Sequence, residues 1–315
     1  SQTVSYSKNW LHILKNLVYN SYEDLKEIDI KYTVYLAEMI RGFLEENQIK
    51  NLDAICSHGH TALHQPEKKL TYQIGNRPSL FEILKTPIVC NFRVQDVLFG
   101  GQGAPLVPIG DKLLFSKYDF CLNLGGFANI STEIDGNRIA FDICPVNIVL
   151  NHYVSALGLD FDDEGKIASK GTVNKDLLEV LNKLDFYNKN HPKSLGLEWV
   201  NKNIFPLIDA FQLPVESILR TFVAHVAFQI SKEINKKNNA TVLITGGGAY
   251  HKFLIKEIQN KTLGKIIIPE KALVEFKEAI IFGFLGVLKL REENNCLGSV
   301  TGAKQDHSSG EIYSH

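Results

Sequence analysis

Neither sign of charge predominates in this chain: 34 Lys and Arg stand against 35 Asp and Glu, a formal net charge of −1. Without a basic excess there is no field to gather nucleic acid or an anionic membrane surface, so neither is expected as a partner and recognition must be local. No stretch reaches the uninterrupted apolar length of a membrane span. The opening Ser1-Gln2-Thr3-Val4 carries neither the basic flank nor the apolar stretch of a secretory leader, and a cytoplasmic location is the resulting expectation. Cysteine is sparse as well. Cys56, Cys90, Cys121, Cys144 and Cys296 are odd in number, scattered and mostly set inside apolar strand-like runs, which reads as buried small hydrophobes. Cys56 with His58, His60 and His64 lacks the second cysteine pair of a structural zinc site, so no metal site is expected from the sequence.

What is present is ordinary globular material in quantity. The 315 residues are 44% hydrophobic and 22% charged, enough for two domains with their own cores. Trp10, Leu11, Ile13, Leu14, Leu17 and Val18 repeat at helical spacing, as do Val34, Leu36, Met39, Ile40, Phe43 and Leu44, predicting two amphipathic helices, the second ending near Asn47. A strand at 52–56 runs into Ser57-His58-Gly59-His60-Thr61, and a second at 87–92 is followed by Arg93 and Asp96. Gly100-Gly101-Gln102-Gly103-Ala104-Pro105-Leu106-Val107-Pro108 is too rich in glycine and proline for regular structure and must be a stiff loop. Later come a helix from Val146 to Leu157, a long helix around Ile218–Ile234, a buried strand at 241–244 opening into Gly246-Gly247-Gly248, a strand at 264–269 and a final helix opened by Glu278. The Gly-, Ser- and Thr-rich residues after Cys296 read as surface.

The most informative stretch is 123–142. Apolar alternation at Phe120, Leu122 and Leu124, then at Ile139 and Phe141, fits pleated strands, and Asp135-Gly136 is a tight hairpin turn between two of them. Gly125-Gly126 lets a backbone with outward N–H groups come close to something bulky, a possible phosphate cradle, and the third strand delivers Asp142 to its end. A glycine pair that merely serves the turn, and an aspartate that caps the following helix, are the competing readings. Strands alternating with helices indicate an α/β fold with mixed sheets. Two halves of similar element order suggest duplicated domains: 1–117, 118–291 and a C-terminal tail at 292–315.

Taken together, Ser57-His58-Gly59-His60-Thr61 with His64-Gln65-Pro66, Gln73-Ile74-Gly75, Asn91-Phe92-Arg93 with Asp96, the loop 100–108, Asn123–Ile130, Asp142 with Pro145 and Asn147, Pro192–Glu198, and Gly246–Ala249 resemble anhydro-N-acetylmuramic acid kinase in order over nearly the whole chain. The resemblance implies an actin-like ATPase (ribonuclease H-like) fold of the sugar kinase/Hsp70/actin superfamily. It implies a small-molecule anhydro sugar as substrate, ATP and Mg²⁺ as cofactors, and a homodimer. The implied reaction opens 1,6-anhydro-N-acetylmuramic acid with water and phosphorylates its O6. Asp142 then falls at the general base, with Arg93, Asp96, His58, Gln102 and Glu198 as sugar contacts and Gly125, Gly126, Gly246, Gly247 and Gly248 as nucleotide contacts. His60 stands where the family usually has Gln.

Two departures from the pattern follow. Asp142-Ile143-Cys144-Pro145-Val146-Asn147 replaces two glycines of the family's Asp-Thr-Gly-Pro-Gly-Asn by Cys144 and Val146. The first half also lacks a counterpart of the meander and of the family's opening phosphate loop, roughly 35–40 residues at five or six per strand plus turns, leaving Ser1–Val4 as the stub of a strand and the first domain truncated. A catalytically silent sugar- or nucleotide-binding member is therefore the alternative to an active kinase. A protein that uses nucleotide only as a conformational switch is a third reading.

Overall fold

The computed structural model describes residues 1–314. Its strands, in chain order, are β1 (Ile55–Cys56), β2 (His60–Gln65), β3 (Leu70–Ile74), β4 (Ile88–Cys90), β5 (Phe120–Leu124), β6 (Phe127–Ile134), β7 (Asn137–Pro145), β8 (Thr241–Thr245), β9 (Lys265–Ile267) and β10 (Glu311–Tyr313). The chain forms two compact units: Ser1–Gly110 joined by the segment from Glu278 onward, and Asp111–Lys277. The sequence reading divides the chain at 117/118 and sets residues 292–315 apart, whereas the residues after Glu278 belong with the first unit.

In the first unit, Ser7 accepts the Trp10 N–H and starts the helix Lys8–Lys15. Ser21 accepts the Asp24 N–H and starts the helix Tyr22–Glu46, whose first turn carries Glu23 and Asp24 where the helix dipole favours acids. That helix begins well before Val34, because its first turns bury only Leu25 and Asp29, too sparse an apolar signal to read. Leu17, Leu25, Tyr32, Ala62 and Ile74 form one core cluster; Ala37, Leu80, Ile88 and Cys90 form another. The buried Asp29 carboxylate accepts from the Tyr72 hydroxyl (2.7 Å) and the Gly75 N–H (2.6 Å), tying the helix to β3.

The small sheet of this unit runs β1-β4-β10, with β1 parallel and β10 antiparallel to β4. Here the surface expectation for the C-terminal residues holds only in part. β10 completes the sheet, Cys296 bridges His307, and Asn295, Cys296, Thr301 and Ser309 are buried. Small polar residues bury readily when each polar atom finds a partner, as when Asn295 bonds Leu285 O and Ser309 O. Residues 1–4 are exposed and form no strand.

The second unit is a five-stranded mixed sheet in the order β7-β6-β5-β8-β9. β5, β6 and β7 make the expected antiparallel meander, with Asp135 (φ 50°) and Gly136 (φ 77°) in the left-handed region that a tight hairpin turn needs. β8 pairs parallel to β5 and β9 parallel to β8. Helices including Asn147–Val154, Lys175–Asn182, Val215–Ile234 and Lys252–Lys261 cover the sheet and share a single core with it. Val215–Ile234 is buried almost all round its length, through Phe222, Val226 and Ile230 among others. A buried ion pair between Lys277 and Asp111 (2.6 Å) joins the last and first residues of this unit.

Candidate active site

In the second unit β5, β7, β8 and β9 point the same way, so Gly125, Pro145 and Gly246 all emerge at the carboxyl ends of strands, the edge at which open α/β sheets bind ligands. The three glycines of 246–248 do different work. Gly246 has φ 84°, and a Cβ there would stand 2.6 Å from Asn123 Oδ1; one on Gly248 would stand 2.7 Å from Leu124 Cβ. Both are required by packing against the end of β5. Gly247 is exposed, and its Cβ would meet nothing nearer than Asn147 Nδ2 at 3.9 Å. The run leads through a single 3₁₀ turn, Gly247–Tyr250, into the helix Lys252–Lys261.

The first glycine turn divides likewise. The Gly125 N–H is used by Phe127 O, while the carbonyls of Gly125 and Gly126 accept N–H groups of Val146, Asn147 and Ile148 and so seat the helix that starts there. Gly126 is exposed, and a Cβ on it would meet only Ile148 Cβ at 3.8 Å. Neither φ nor packing asks for glycine at 126 or 247. Among the described residues the Gly126 and Gly247 N–H groups have no acceptor, so each offers a donor beside open space.

Asp142 does not cap the following helix, whose N-cap is Val146. Instead its main-chain N–H donates to Lys193 O (3.0 Å) and its Oδ2 accepts the Leu195 N–H (2.8 Å), so that the 193–195 loop grips it twice. Burial raises its pKa above the usual aspartate value, and the Leu195 N–H opposes this by favouring the anion. The result is a carboxylate with a fixed orientation and a raised proton affinity. Glu198 is exposed in the first turn of the helix Leu197–Asn203 and has no polar partner among the described residues.

In the first unit His58 follows β1 and Arg93 follows β4, side by side at the ends of parallel strands. The turn at Ser57–Gly59 is held by the Ser57 hydroxyl to Asn76 Oδ1 (2.9 Å) and by Asn76 Nδ2 to His58 O (3.1 Å). His58 Nδ1 lies 2.8 Å from Gly59 O, which can only accept, so this nitrogen carries the proton and Nε2 is an acceptor. Arg93 Nε and Nη2 donate to that Nε2 at 3.1 and 2.9 Å, and Nη1 donates to Gly103 O at 2.6 Å. Burial first, then the Arg93 charge, lowers the His58 pKa and keeps the ring neutral. His64 is lowered by the same two causes. Phe282 stands edge-on to His58 at 4.6 Å. His60 lies instead against Tyr32.

Asp96 departs from its expected role. It is 0% exposed, its Oδ2 accepts the Gly103 N–H (2.6 Å) and its Oδ1 accepts the Thr301 hydroxyl (2.7 Å) and the Cys296 thiol (3.0 Å), so it has no surface to offer a sugar. It is the anchor beneath the glycine loop: a Cβ on Gly101 would fall 2.2 Å from Asp96 Oδ2, which is why residue 101 must be glycine. Gln102 donates its N–H to Thr301 O (2.8 Å), and the residue is exposed. Cys56 and the three histidines do not gather; among the described residues the one metal-sized cluster is Asp96, Cys296 and His307. Asn147, whose amide donates to Leu124 O (3.5 Å), and the Leu195 N–H are site groups that the sequence reading did not single out for a role. Only the position of Asn147 beside Pro145 hinted at one.

A mixed five-stranded sheet whose second strand runs against its neighbours, with helices around it and glycine turns at the carboxyl ends of its strands, defines an α/β protein with the sheet topology expected of the ribonuclease H-like class. A family model described as anhydro-N-acetylmuramic acid kinase matches residues 9–315. The chain is 31% identical to the protein of that name from Sulfurimonas denitrificans, over 92% of this chain and 84% of the relative. It is 30% identical to the one from Haemophilus influenzae, over 92% and 83%, and 32% identical to the one from Francisella tularensis subsp. novicida, over 99% and 89%. The chain belongs to the anhydro-N-acetylmuramic acid kinase family, and its class of activity is that of a kinase. Among the described residues no helix is long and apolar enough to cross a membrane.

Proposed function

We propose that this chain opens the anhydro ring of 1,6-anhydro-N-acetylmuramic acid with water and transfers the γ-phosphoryl group of ATP to O6, yielding N-acetylmuramic acid 6-phosphate and ADP for cell-wall recycling. The observation that carries the reading is Asp142, a carboxylate fixed by the 193–195 loop and raised in proton affinity by burial. A general base needs both a defined direction and a pKa drawn toward neutrality. Water gives a proton to Asp142 as its oxygen bonds to the anomeric carbon. The bond from that carbon to O6 breaks, and O6 displaces ADP from the γ-phosphorus.

The exposed Gly126 and Gly247, with unclaimed N–H donors and room that a Cβ would fill, suit the phosphates of ATP. Gly125, Gly246 and Gly248 shape those two turns. Magnesium arriving with the nucleotide supplies charge neutralisation at the phosphates, and the Asn147 side-chain oxygen is a donor of the type a hydrated magnesium ion accepts. Arg93 has five N–H donors, of which three are engaged, and the remaining two suit the lactyl carboxylate. His58, kept neutral, holds the guanidinium in place. Gln102 and Glu198, both exposed, remain proposed hydrogen-bonding contacts to the sugar, while Asp96 positions the loop that carries Gln102 and Gly103.

The test is incubation of the purified chain with the anhydro sugar, ATP and magnesium, following sugar phosphate and ADP. Equimolar formation of both supports the proposal. Sugar binding without either product would establish the silent member, and ATP hydrolysis indifferent to the sugar would favour the nucleotide switch. The homodimer implied by the family stands as part of the proposal and is read by sedimentation.

A further inference from the structure

One buried group is left unexplained by the kinase reading. His307 is 4% exposed, and its Nδ1 lies 3.0 Å from Gln305 O, a carbonyl that can only accept, so Nδ1 carries the proton. In the neutral ring Nε2 is then a bare lone pair. Among the described residues it has no hydrogen-bond partner, and it lies 3.6 Å from Asp96 Oδ1, itself an acceptor. Two buried acceptors do not face each other without a positive species between or upon them. The Cys296 sulfur stands 3.0 Å from the same Oδ1, and the three donor atoms all lie within 4.8 Å of one another.

We propose that Asp96, Cys296 and His307 form a binding site for a divalent transition-metal ion, zinc by its donor set, held beneath the glycine loop 100–103. One sulfur, one imidazole nitrogen and one carboxylate oxygen are the donors zinc takes. Tetrahedral bonds of about 2.0–2.3 Å set such donors about 3.3–3.7 Å apart, close to the Nε2–Oδ1 spacing and slightly beyond the sulfur–oxygen one. The Nδ1–H to Gln305 O bond is the outer contact that ordinarily orients a ligating histidine. Thr301, whose hydroxyl already reaches Asp96 Oδ1, or a water molecule completes the coordination. Binding converts the Cys296 thiol to thiolate and sends its proton to solvent. The ion would fasten residues 296–307 to the helix Val94–Leu98, and through Asp96 would fix the Gly101–Gly103 backbone. This inference does not rest on the kinase proposal.

The experiment uses the whole chain, stripped with a chelator and then titrated separately with zinc and cobalt(II). Expected are retention of about one zinc per chain after gel filtration, proton release on binding, a thiolate-to-cobalt charge-transfer band and a higher melting temperature. Cys296→Ser keeps a donor for Asp96 but removes the thiolate, so the cobalt band should vanish and zinc retention fall at least tenfold; His307→Gln should do the same to retention. Should either variant fail to fold, the band and the proton release of the unaltered chain still decide. No retained zinc and no band would overturn the proposal and leave an imidazolium–carboxylate pair in its place. Retention unchanged in both variants would overturn it equally, by placing the metal elsewhere.

Discussion

Replacing Asp142 by Asn separates a base from a scaffold. The amide oxygen can still accept the Leu195 N–H, and the main-chain bond to Lys193 O is untouched, so the 193–195 loop should stay docked. What disappears is the ability to take a proton from water, a loss of about 10²–10⁴ in turnover, equivalent to about 3–5 kcal/mol of transition-state stabilisation. Sugar affinity should stay within a few-fold. The pH dependence is fixed by direction: burial raises the Asp142 pKa, and a base works only when deprotonated. In the unaltered enzyme kcat/KM should therefore rise with pH through a value above the ordinary aspartate range, and the residual activity of the variant should lose that limb. Stability moves the other way. A carboxyl whose pKa is raised on folding contributes stability below its unfolded pKa, and this contribution is lost as pH rises, so at neutral pH the charge is a cost to the fold. Asp142→Asn should then be no less stable than the parent in urea. Product formation by ADP release and sugar-phosphate detection, beside urea unfolding at neutral pH, gives both readings. Turnover within a few-fold of the parent, or a folded state weakened along with the activity, would refute the base assignment.

Three further outcomes are expected. Arg93→Lys keeps the charge but cannot hold both His58 Nε2 and Gly103 O in the guanidinium plane, so KM for the anhydro sugar should rise about tenfold or more while a sugar lacking the lactyl group is little affected; equal losses for both would make Arg93 a support for the loop alone. Gly247→Ala adds a methyl that touches nothing nearer than 3.9 Å and should leave stability within about 0.5 kcal/mol while raising KM for ATP, whereas Gly248→Ala drives a Cβ to 2.7 Å from Leu124 Cβ and should cost about 1–3 kcal/mol of stability. His225 is fully buried between Asn182 Oδ1 and the Tyr187 hydroxyl, with its pKa lowered by burial to about 3, so the unfolded chain binds the proton first; stability should fall by about 1.4 kcal/mol per pH unit below about 6.5, and His225→Phe should flatten that slope in urea unfolding measured at several pH values.

How far the sequence reaches into this molecule depends on the range of each signal. The meander β5–β7 is legible because strand alternation and the Asp135-Gly136 turn are local, each read within a few residues. β10 is not: Glu311–Tyr313 is three residues long, mostly exposed, and becomes a strand only because β4 presents an edge to it. The same limit governs the site. Three adjacent glycines look alike in a sequence, yet Gly246 and Gly248 answer to β5 while a Cβ on Gly247 would meet nothing nearer than 3.9 Å among the described residues, a difference set by Asn123 and Leu124. Asp96, three residues after an arginine at a strand end, has the spacing of a ligand contact, and only partners lying 200 and 205 residues further along turn it into a buried anchor. Asp142 could be found by its motif, but the group that aims it, the Leu195 N–H, is a main-chain atom and leaves no residue-type signal at all. Motif spacing thus nominates residues for chemistry, while long-range main-chain contacts decide what each of them is free to do. That is why Asp142, held by its loop with one carboxylate oxygen unclaimed among the described residues, and Asp96, with both oxygens taken, part company despite equal standing in the sequence.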